Sequence, residues 1–184
     1  MAVKLSKICN DLRLLSSGPR AGFGEIRLPA MQAGSSIMPG KVNPVIPELV
    51  NQISFQVIGN DLTVTLAASA GQLQLNAMEP IIVLNILQSM RLLVRGMDAL
   101  RTRCIDGIEA DSQRCRALHD GALILAAALN PFVGYARAAA LARTALAEGI
   151  PLREAVERDS GLPAAQIETI FGIKNIGAYE SVQH

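Results

Sequence analysis

The segment from Pro80 to Cys104 repeats apolar residues at steps of three and four, the spacing of one face of an α-helix. This stripe consists of Ile82, Ile86, Met90, Leu93, Met97, Leu100 and Cys104. The first half of the segment is apolar on its other sides as well, at Ile81, Val83, Leu84 and Leu87. A helix that is apolar all round is usually enclosed by other helices. The segment therefore predicts a central helix of an all-α bundle.

Further helices are expected on both sides of this one, and no strand-like alternation persists. Residues 3–15 have helical spacing and end at Ser16-Ser17-Gly18-Pro19. Asn43 and Pro44 are the residue types of an N-cap and a first helical position, so a long helix is predicted from Pro44 to near Gly71.

Shorter helices are predicted after Cys104. One starts at the cap Asp111 and continues to Leu129, where Asn130-Pro131 is expected to break it. The others cover about 132–148, 152–158 and 164–171. We place a boundary near residue 106, between the C-terminal part of a bundle domain (1–105) and a small helical C-terminal domain (106–184).

Composition narrows the class of protein. The 184 residues are 50% hydrophobic but only 18% charged, with mean hydropathy +0.30, so surface is expected to be buried against partner chains. A net charge of +1 gives no electrostatic footprint for nucleic acid. The longest unbroken apolar run, 122–129, is far shorter than the roughly 20 residues that cross a bilayer. Neither nucleic acid nor membrane is expected as a partner.

The cysteines and histidines predict neither disulfides nor metal. Cys9, Cys104 and Cys115 form no CxxC pair and lie in helical patterns, which indicates reduced core thiols in a cytoplasmic protein. His119 and His184 are too few and too far apart for a metal site. His119 is expected to be a hydrogen-bonded structural residue.

The one long irregular segment, residues 18–43, ends in GSSIMPGKVNP. Its glycines and the Pro39-Gly40 turn allow several backbone amides to point at one place. The following helix directs its positive end toward the loop, and Lys41 adds a full positive charge. Such a loop could hold a carboxylate, although by spacing alone an ordinary surface connection is the commoner case.

The residue string itself resembles the signature loop of the aspartase/fumarase superfamily, G-S-x-x-M-P-x-K-x-N. The six matching positions are Gly34, Ser35, Met38, Pro39, Lys41 and Asn43. KICNDLRLLSSGPRAG, VIGNDLTVTLAASAGQLQLNAMEP and ALNPFVGY are similar to other parts of this family. PELVNQISFQVIGND and AGQLQLNAMEP are most similar to its aspartase branch. The resemblance covers essentially the whole chain.

The resemblance implies an enzyme that reversibly deaminates L-aspartate to fumarate and ammonia, with no cofactor. In that reading Ser35 is the general base and loop 34–43 is mobile. Substrate carboxylate is held by the Ser36 hydroxyl, by the loop amides at Ile37 and Met38, and by Lys41 and Asn43. Glu48 matches a supporting residue that pairs, in relatives, with a histidine from another subunit.

Family members are longer, so the resemblance also implies that the chain is a C-terminal portion lacking the upstream site segments. It implies a homo-oligomer, a tetramer in the family, with active sites shared between subunits. Two alternatives remain open. One is a class II fumarase of the same superfamily, and the other is a helical assembly module without activity.

Overall fold

The structure is a computed structural model that describes residues 1–32 and 42–172. The described chain is almost entirely helical, which confirms the all-α prediction. The helices are α1 (Ala2–Leu15), α2 (Val45–Ser69), α3 (Glu79–Arg103), α4 (Ser112–Asp120), α5 (Ala126–Val133), α6 (Tyr135–Glu148), α7 (Leu152–Asp159) and α8 (Ala164–Phe171). Two short strands, β1 (Ile26–Arg27) and β2 (Glu109–Ala110), pair antiparallel.

The chain forms two compact units that divide between Asp111 and Ser112. The observed division lies beyond residue 106 because β2 pairs with β1, with Ile26 opposite Ala110 and Arg27 opposite Glu109. The ribbon ties the segment after α3 to the segment after α1. Pairing between strands so distant in the chain leaves no local signal in a sequence.

The first unit is built on α2, which packs against both α1 and α3. Its core joins α1 to the beginning of α2 and the end of α3. The buried members of this core are Cys9, Ile46, Val50, Leu100 and Cys104. Since Ile46 and Val50 lie in the first turns of α2, this core fixes the helix that directly follows the signature loop.

Helix α3 turns a different face toward α2 than the apolar stripe predicts. Its buried residues are Asn85, Gly96 and Leu100, of which only Leu100 belongs to the stripe. Met90 and Met97, expected in the core, are 58% and 36% exposed in this chain. The small and polar face lies against α2 because Gly96 allows close approach and the Asn85 backbone carbonyl accepts a hydrogen bond from the Asn60 side chain at 3.5 Å.

That network lies around Asn60 of α2, which is 4% exposed. The Asn60 Nδ2 group donates to Gln88 Oε1 at 3.1 Å and to Ser89 Oγ at 3.0 Å, both on α3. Its Oδ1 accepts from Gln56 Nε2 at 2.8 Å. Because the buried Asn60 amide is satisfied only when these partners face it, the network favours one register of the two helices.

By length and composition alone, the stretch Glu79–Gly107 would suffice to span a membrane, with a window of mean hydropathy 1.2. The short unbroken runs of apolar residues in the sequence predicted no segment of this length. A helix in a protein bundle would also pack Asn85 and Gly96 against a neighbouring helix, as α3 does against α2. Hydropathy alone therefore does not decide whether α3 lies in a membrane or in a bundle.

The second unit is a small helical domain with its own core. Its fully buried side chains come from α5, α7 and α8 and include Leu129, Leu152, Val156 and Phe171. The Gly149 stop is confirmed, with φ +66 after α6. The predicted helices at 152–158 and 164–171 agree with α7 and α8.

Two predictions for the second unit are wrong. The helix expected from Asp111 to Leu129 ends at Asp120, and a 3₁₀ turn at Leu123–Leu125 separates α4 from α5. Pro131 lies inside α5 instead of breaking it. The proline has no N–H to donate to the Ala127 carbonyl, and the helix ends two residues later at Val133, after which Gly134 takes a positive φ of +77.

Candidate functional site

The predicted site falls partly outside the described residues. Ser35, Ser36, Ile37, Met38 and Lys41 all lie there, so their predicted roles stay predictions. The structure describes both ends of the signature loop and the first turns of α2. Of the predicted site residues it describes Asn43 and Glu48.

Asn43 is half-buried directly before α2, and its predicted capping role is wrong. The N-cap residue is Pro44, and no side chain caps this helix. The Asn43 backbone carbonyl instead accepts a hydrogen bond from the Val45 amide at 2.8 Å. The Asn43 side chain is thus not used for capping, which leaves it for the predicted role in substrate binding.

A cleft of about 640 Å³ lies beside both ends of the loop. Leu28 and Pro29 line it on the side that enters the loop, and Val42 and Pro44 line it on the side that leaves. The rest of the wall is the turn at 16–19 and the β1–β2 ribbon. The fold therefore places the loop ends at a concave surface, which is the usual setting of a binding site.

The charges in this cleft are mixed. The Arg27 guanidinium pairs with Asp111 across 2.5 Å, and Glu109 also lines the wall. The Arg27 side chain is 67% exposed, so this pair contributes little to stability. A strong anion site would therefore have to draw its positive charge from Lys41 in the loop.

Glu48 lies in the first turn of α2 and faces α1. Its Oε1 is 3.8 Å from Nη2 of Arg13. Both side chains are a little over 40% exposed, so the carboxylate lies at the rim of the helix pair and still reaches solvent. The spacing of residues in the sequence does not predict this ion pair with α1, because no local pattern connects Arg13 with Glu48.

A buried amide anchors Arg13 on its other side. Asn51, one turn after Glu48, is 3% exposed, and its carboxamide approaches that of Asn10 to 2.8 Å. With its oxygen turned toward Arg13, Asn51 accepts from Nη1 at 3.2 Å and donates to the Ser6 carbonyl at 3.1 Å. Arg13 is thereby held between a buried polar group and Glu48.

The thiols near this region are poor nucleophiles. Burial raises the pKa of Cys9 to about 11, and the neighbouring Cys104 adds to the rise while Arg13 opposes it. Burial also raises the pKa of Cys104. The two remain core residues, as predicted, whereas Cys115 is only half-buried.

Within residues 1–32 and 42–172, no cluster of three or more His, Cys, Asp or Glu side chains could hold a metal ion. His119, in the second unit, contacts Asp120 through Nδ1 at 3.1 Å. Its Nε2 is buried and finds no hydrogen-bond partner in the described part of the chain, so the prediction of a fully hydrogen-bonded histidine is only half met.

Comparison with known proteins connects this loop and fold to a family. A family model described as "Lyase" matches residues 1–59, and one described as "Fumarase C C-terminus" matches residues 125–176. Aspartate ammonia-lyases from Pseudomonas aeruginosa and Escherichia coli are 57% and 49% identical, over 95% and 96% of this chain. Each match covers 37% of the relative.

Solved structures agree with these matches. A fumarate lyase:delta crystallin from Brucella melitensis superposes with a TM-score of 0.87 at 66% identity, over 92% of this chain and 38% of that one. A class II fumarase from Schistosoma mansoni gives 0.80 at 35% identity, over 95% and 36%.

The helical units and the family matches at both ends define a fumarate-lyase type of protein. The chain belongs to the aspartase/fumarase superfamily. It spans a little over a third of the length of the relatives it matches.

Proposed function

We propose that this chain contributes the base-bearing loop of an enzyme that reversibly deaminates L-aspartate to fumarate and ammonia. The observation that carries the proposal is its 49–59% identity to proteins named aspartate ammonia-lyase, including those of Pseudomonas fluorescens and Escherichia coli. The signature segment and the cleft at its ends agree with this function.

In the proposed mechanism Ser35 takes a proton from the carbon next to the β-carboxylate of aspartate. The electron pair moves into that carboxylate to give a dianionic aci-form. It then returns to form the double bond as the carbon–nitrogen bond breaks and ammonia leaves. A serine hydroxyl is barely ionised at neutral pH, so preorganised donors in a closed site must stabilise its alkoxide.

The remaining loop residues are assigned to the carboxylate. The Ser36 hydroxyl, the amides of Ile37 and Met38, Lys41 and Asn43 would hold it more tightly as its charge grows, which lowers the barrier. Glu48 supports the site from the first turn of α2. No organic cofactor and no metal enters these steps.

A homo-oligomer, a tetramer by the family resemblance, is part of the proposal. Large apolar side chains on α2 and α3 are exposed in the isolated chain, and surface of this kind is usually covered by a partner. Those with about 60% exposure are Phe55, Leu62, Leu66, Leu84, Met90 and Val94. The superposition on solved fumarate lyase and fumarase structures favours a bundle over a membrane as the environment of α3. We propose a cytoplasmic location, in line with the reduced thiols.

The test uses a chimera in which this chain replaces the 175 matching residues of the Pseudomonas aeruginosa relative. The purified chimera is mixed with fumarate, with and without ammonium, and the products are separated. We expect aspartate to form only when ammonium is present. Formation of malate instead would favour the alternative of a class II fumarase. That alternative is open because the chain is similar to the class II fumarase from Schistosoma mansoni.

The chain alone tests the third possibility, an assembly module without activity. We expect the isolated chain to associate, as measured by light scattering, and to form no fumarate from aspartate. If the chimera is active and the isolated chain is inactive, the active site needs segments that the relative supplies and this chain does not. An inactive chimera that folds and assembles would favour the assembly module.

A further inference from the structure

The ion pair between Arg13 and Glu48 links α1 to the beginning of α2, close to the end of the signature loop. Arg13 Nη2 lies 3.8 Å from Glu48 Oε1. Glu48 follows Asn43 by little more than one helical turn, and its backbone amide donates to the Pro44 carbonyl at 3.1 Å. The Glu48 side chain is therefore carried by the first turn of α2, next to the point where the loop joins this helix.

Arg13 is held in place by a contact that does not involve Glu48. With its amide turned so that the oxygen faces Arg13, Asn51 accepts a hydrogen bond from Nη1 at 3.2 Å, and that asparagine is 3% exposed. A planar guanidinium can engage a buried amide with one nitrogen and a carboxylate with the other, whereas a lysine ammonium has only one centre.

The helices beneath this pair are fixed as well. Cys9 of α1 is fully buried against Ile46 and Val50, which flank Glu48 in α2. The distance between the backbones of Arg13 and Glu48 is therefore set by packing. What the ion pair adds is the direction of one long, solvent-reaching carboxylate side chain, which packing alone leaves free.

We propose that Arg13 is a positioning residue that orients the Glu48 carboxylate toward the active site. This inference rests on the proposed function and deepens it. Arg13 itself touches no substrate. Its role is to reduce the rotamers of Glu48 to those compatible with the reaction, and a misplacement of about 1 Å in a site can cost about a hundredfold in rate.

The test is a kinetic double-mutant cycle in the chimera with Arg13→Met and Glu48→Gln. We expect Arg13→Met alone to lower kcat by about ten- to a hundredfold while KM changes little, since uniform substrate binding is not affected. In the Glu48→Gln background the same change should have no further effect on kcat. Arg13→Lys, which keeps the charge without the fork, should recover kcat only in part.

Arg101→Met is the matched control. Arg101 belongs to the same unit and pairs with Asp98 and Asp106 at 3.4 and 3.1 Å, with 63% of its side chain exposed. Its loss should leave kcat unchanged in both backgrounds. Equal losses from Arg13→Met with and without Glu48, or an unchanged kcat, would overturn the positioning role.

Urea unfolding separates this inference from the proposed function. If the unsubstituted chimera makes no aspartate, the proposed function fails, and the same four proteins are compared by urea unfolding. A non-additive shift of the midpoint would uphold the contact between Arg13 and Glu48. Strictly additive shifts would overturn the contact and the positioning role together.

Discussion

Gly96 of α3 lies so close to Ile53 of α2 that a Cβ added to the glycine would be 2.8 Å from Ile53 Cδ1. Glycine is an unfavourable residue in the middle of a helix, by about 1 kcal/mol relative to alanine. Its presence here is explained by the close approach of the two helices. Helices packed this closely leave room for little besides hydrogen at the contact.

The first prediction compares Gly96→Leu with Gly59→Leu. Both changes improve helix propensity equally, but Gly59 has nothing within 4 Å of an added Cβ. We expect Gly96→Leu to lower the free energy of unfolding by about 1–3 kcal/mol through overpacking. Gly59→Leu should leave it unchanged or raise it slightly. Urea denaturation measures both, and equal effects would contradict the close packing of α2 and α3.

The second prediction concerns Asn60. Asn60→Leu removes the donor to Gln88 and Ser89 and the acceptor for Gln56. A hydrogen bond typically contributes about 0.5–1.5 kcal/mol net, so the loss of these three should lower the free energy of unfolding by about 2–3 kcal/mol. The loss is read from chemical denaturation curves.

The control for Asn60 is Thr65→Ala on the same helix, where the hydroxyl bonds only the Asp61 carbonyl of its own helix at 2.9 Å. That change should stay within about 0.5 kcal/mol, as surface changes do. A small effect at Asn60, comparable to that at Thr65, would mean that the network does not set the register.

The third prediction concerns thiol reactivity. With its pKa raised to about 11, Cys9 is ionised in about one molecule per thousand at pH 8, and it is also buried. Iodoacetamide followed by peptide mass spectrometry should therefore modify half-buried Cys115 long before Cys9 and Cys104. In urea all three should react at similar rates. Rapid labelling of Cys9 in the folded chain would be inconsistent with the core of the first unit.

The fourth prediction concerns pH. Arg158 donates to Asp159 at 2.8 Å and to Glu148 at 2.8 Å, and the hydrogen bond from Arg158 lowers the pKa of Asp159 from its usual 3.8. A group whose pKa is lowered on folding stabilises the folded state above its unfolded pKa. This contribution is lost as the pH falls through the folded value.

We therefore expect Arg158→Met to lower Tm at pH 6 and to have a smaller effect at pH 2, because protonation of Asp159 as the pH falls through its lowered pKa removes the charge that Arg158 pairs with. Arg143→Met is the control, since Arg143 is exposed on α6 and forms no ion pair with any residue that the structure describes. A difference in Tm between Arg158→Met and the parent that is the same at both pH values would exclude the Asp159 pair as its source.

The fifth prediction concerns the base. In the chimera, Ser35→Ala should reduce kcat by about 10²–10⁴-fold or more, because proton abstraction loses its acceptor. The circular dichroism spectrum and Tm should be unchanged. Near-normal turnover in the alanine variant would remove Ser35 from the mechanism.

Lys41→Met should instead raise KM strongly, because it removes a charge that attracts the substrate carboxylate.

Local rules were enough for much of the fold. The three- and four-residue spacing predicted α1, α2 and α3 to within about two residues, and Gly149 marked the end of α6, because these features depend on neighbours along the chain. The rule that proline ends a helix failed at Pro131, which lies inside α5 near its end. The signature loop and its family likewise followed from the residue string alone.

Contacts between distant segments required the tertiary structure. It decided that α3 turns Asn85 and Gly96 toward α2, and that Arg13 meets Glu48 beside buried Asn51. Hydrophobic periodicity identifies which faces of a helix are apolar, but not which partner covers each one. Partner choice depends on close packing and on satisfying buried polar groups, and those are properties of two surfaces brought together, which one-dimensional spacing does not contain.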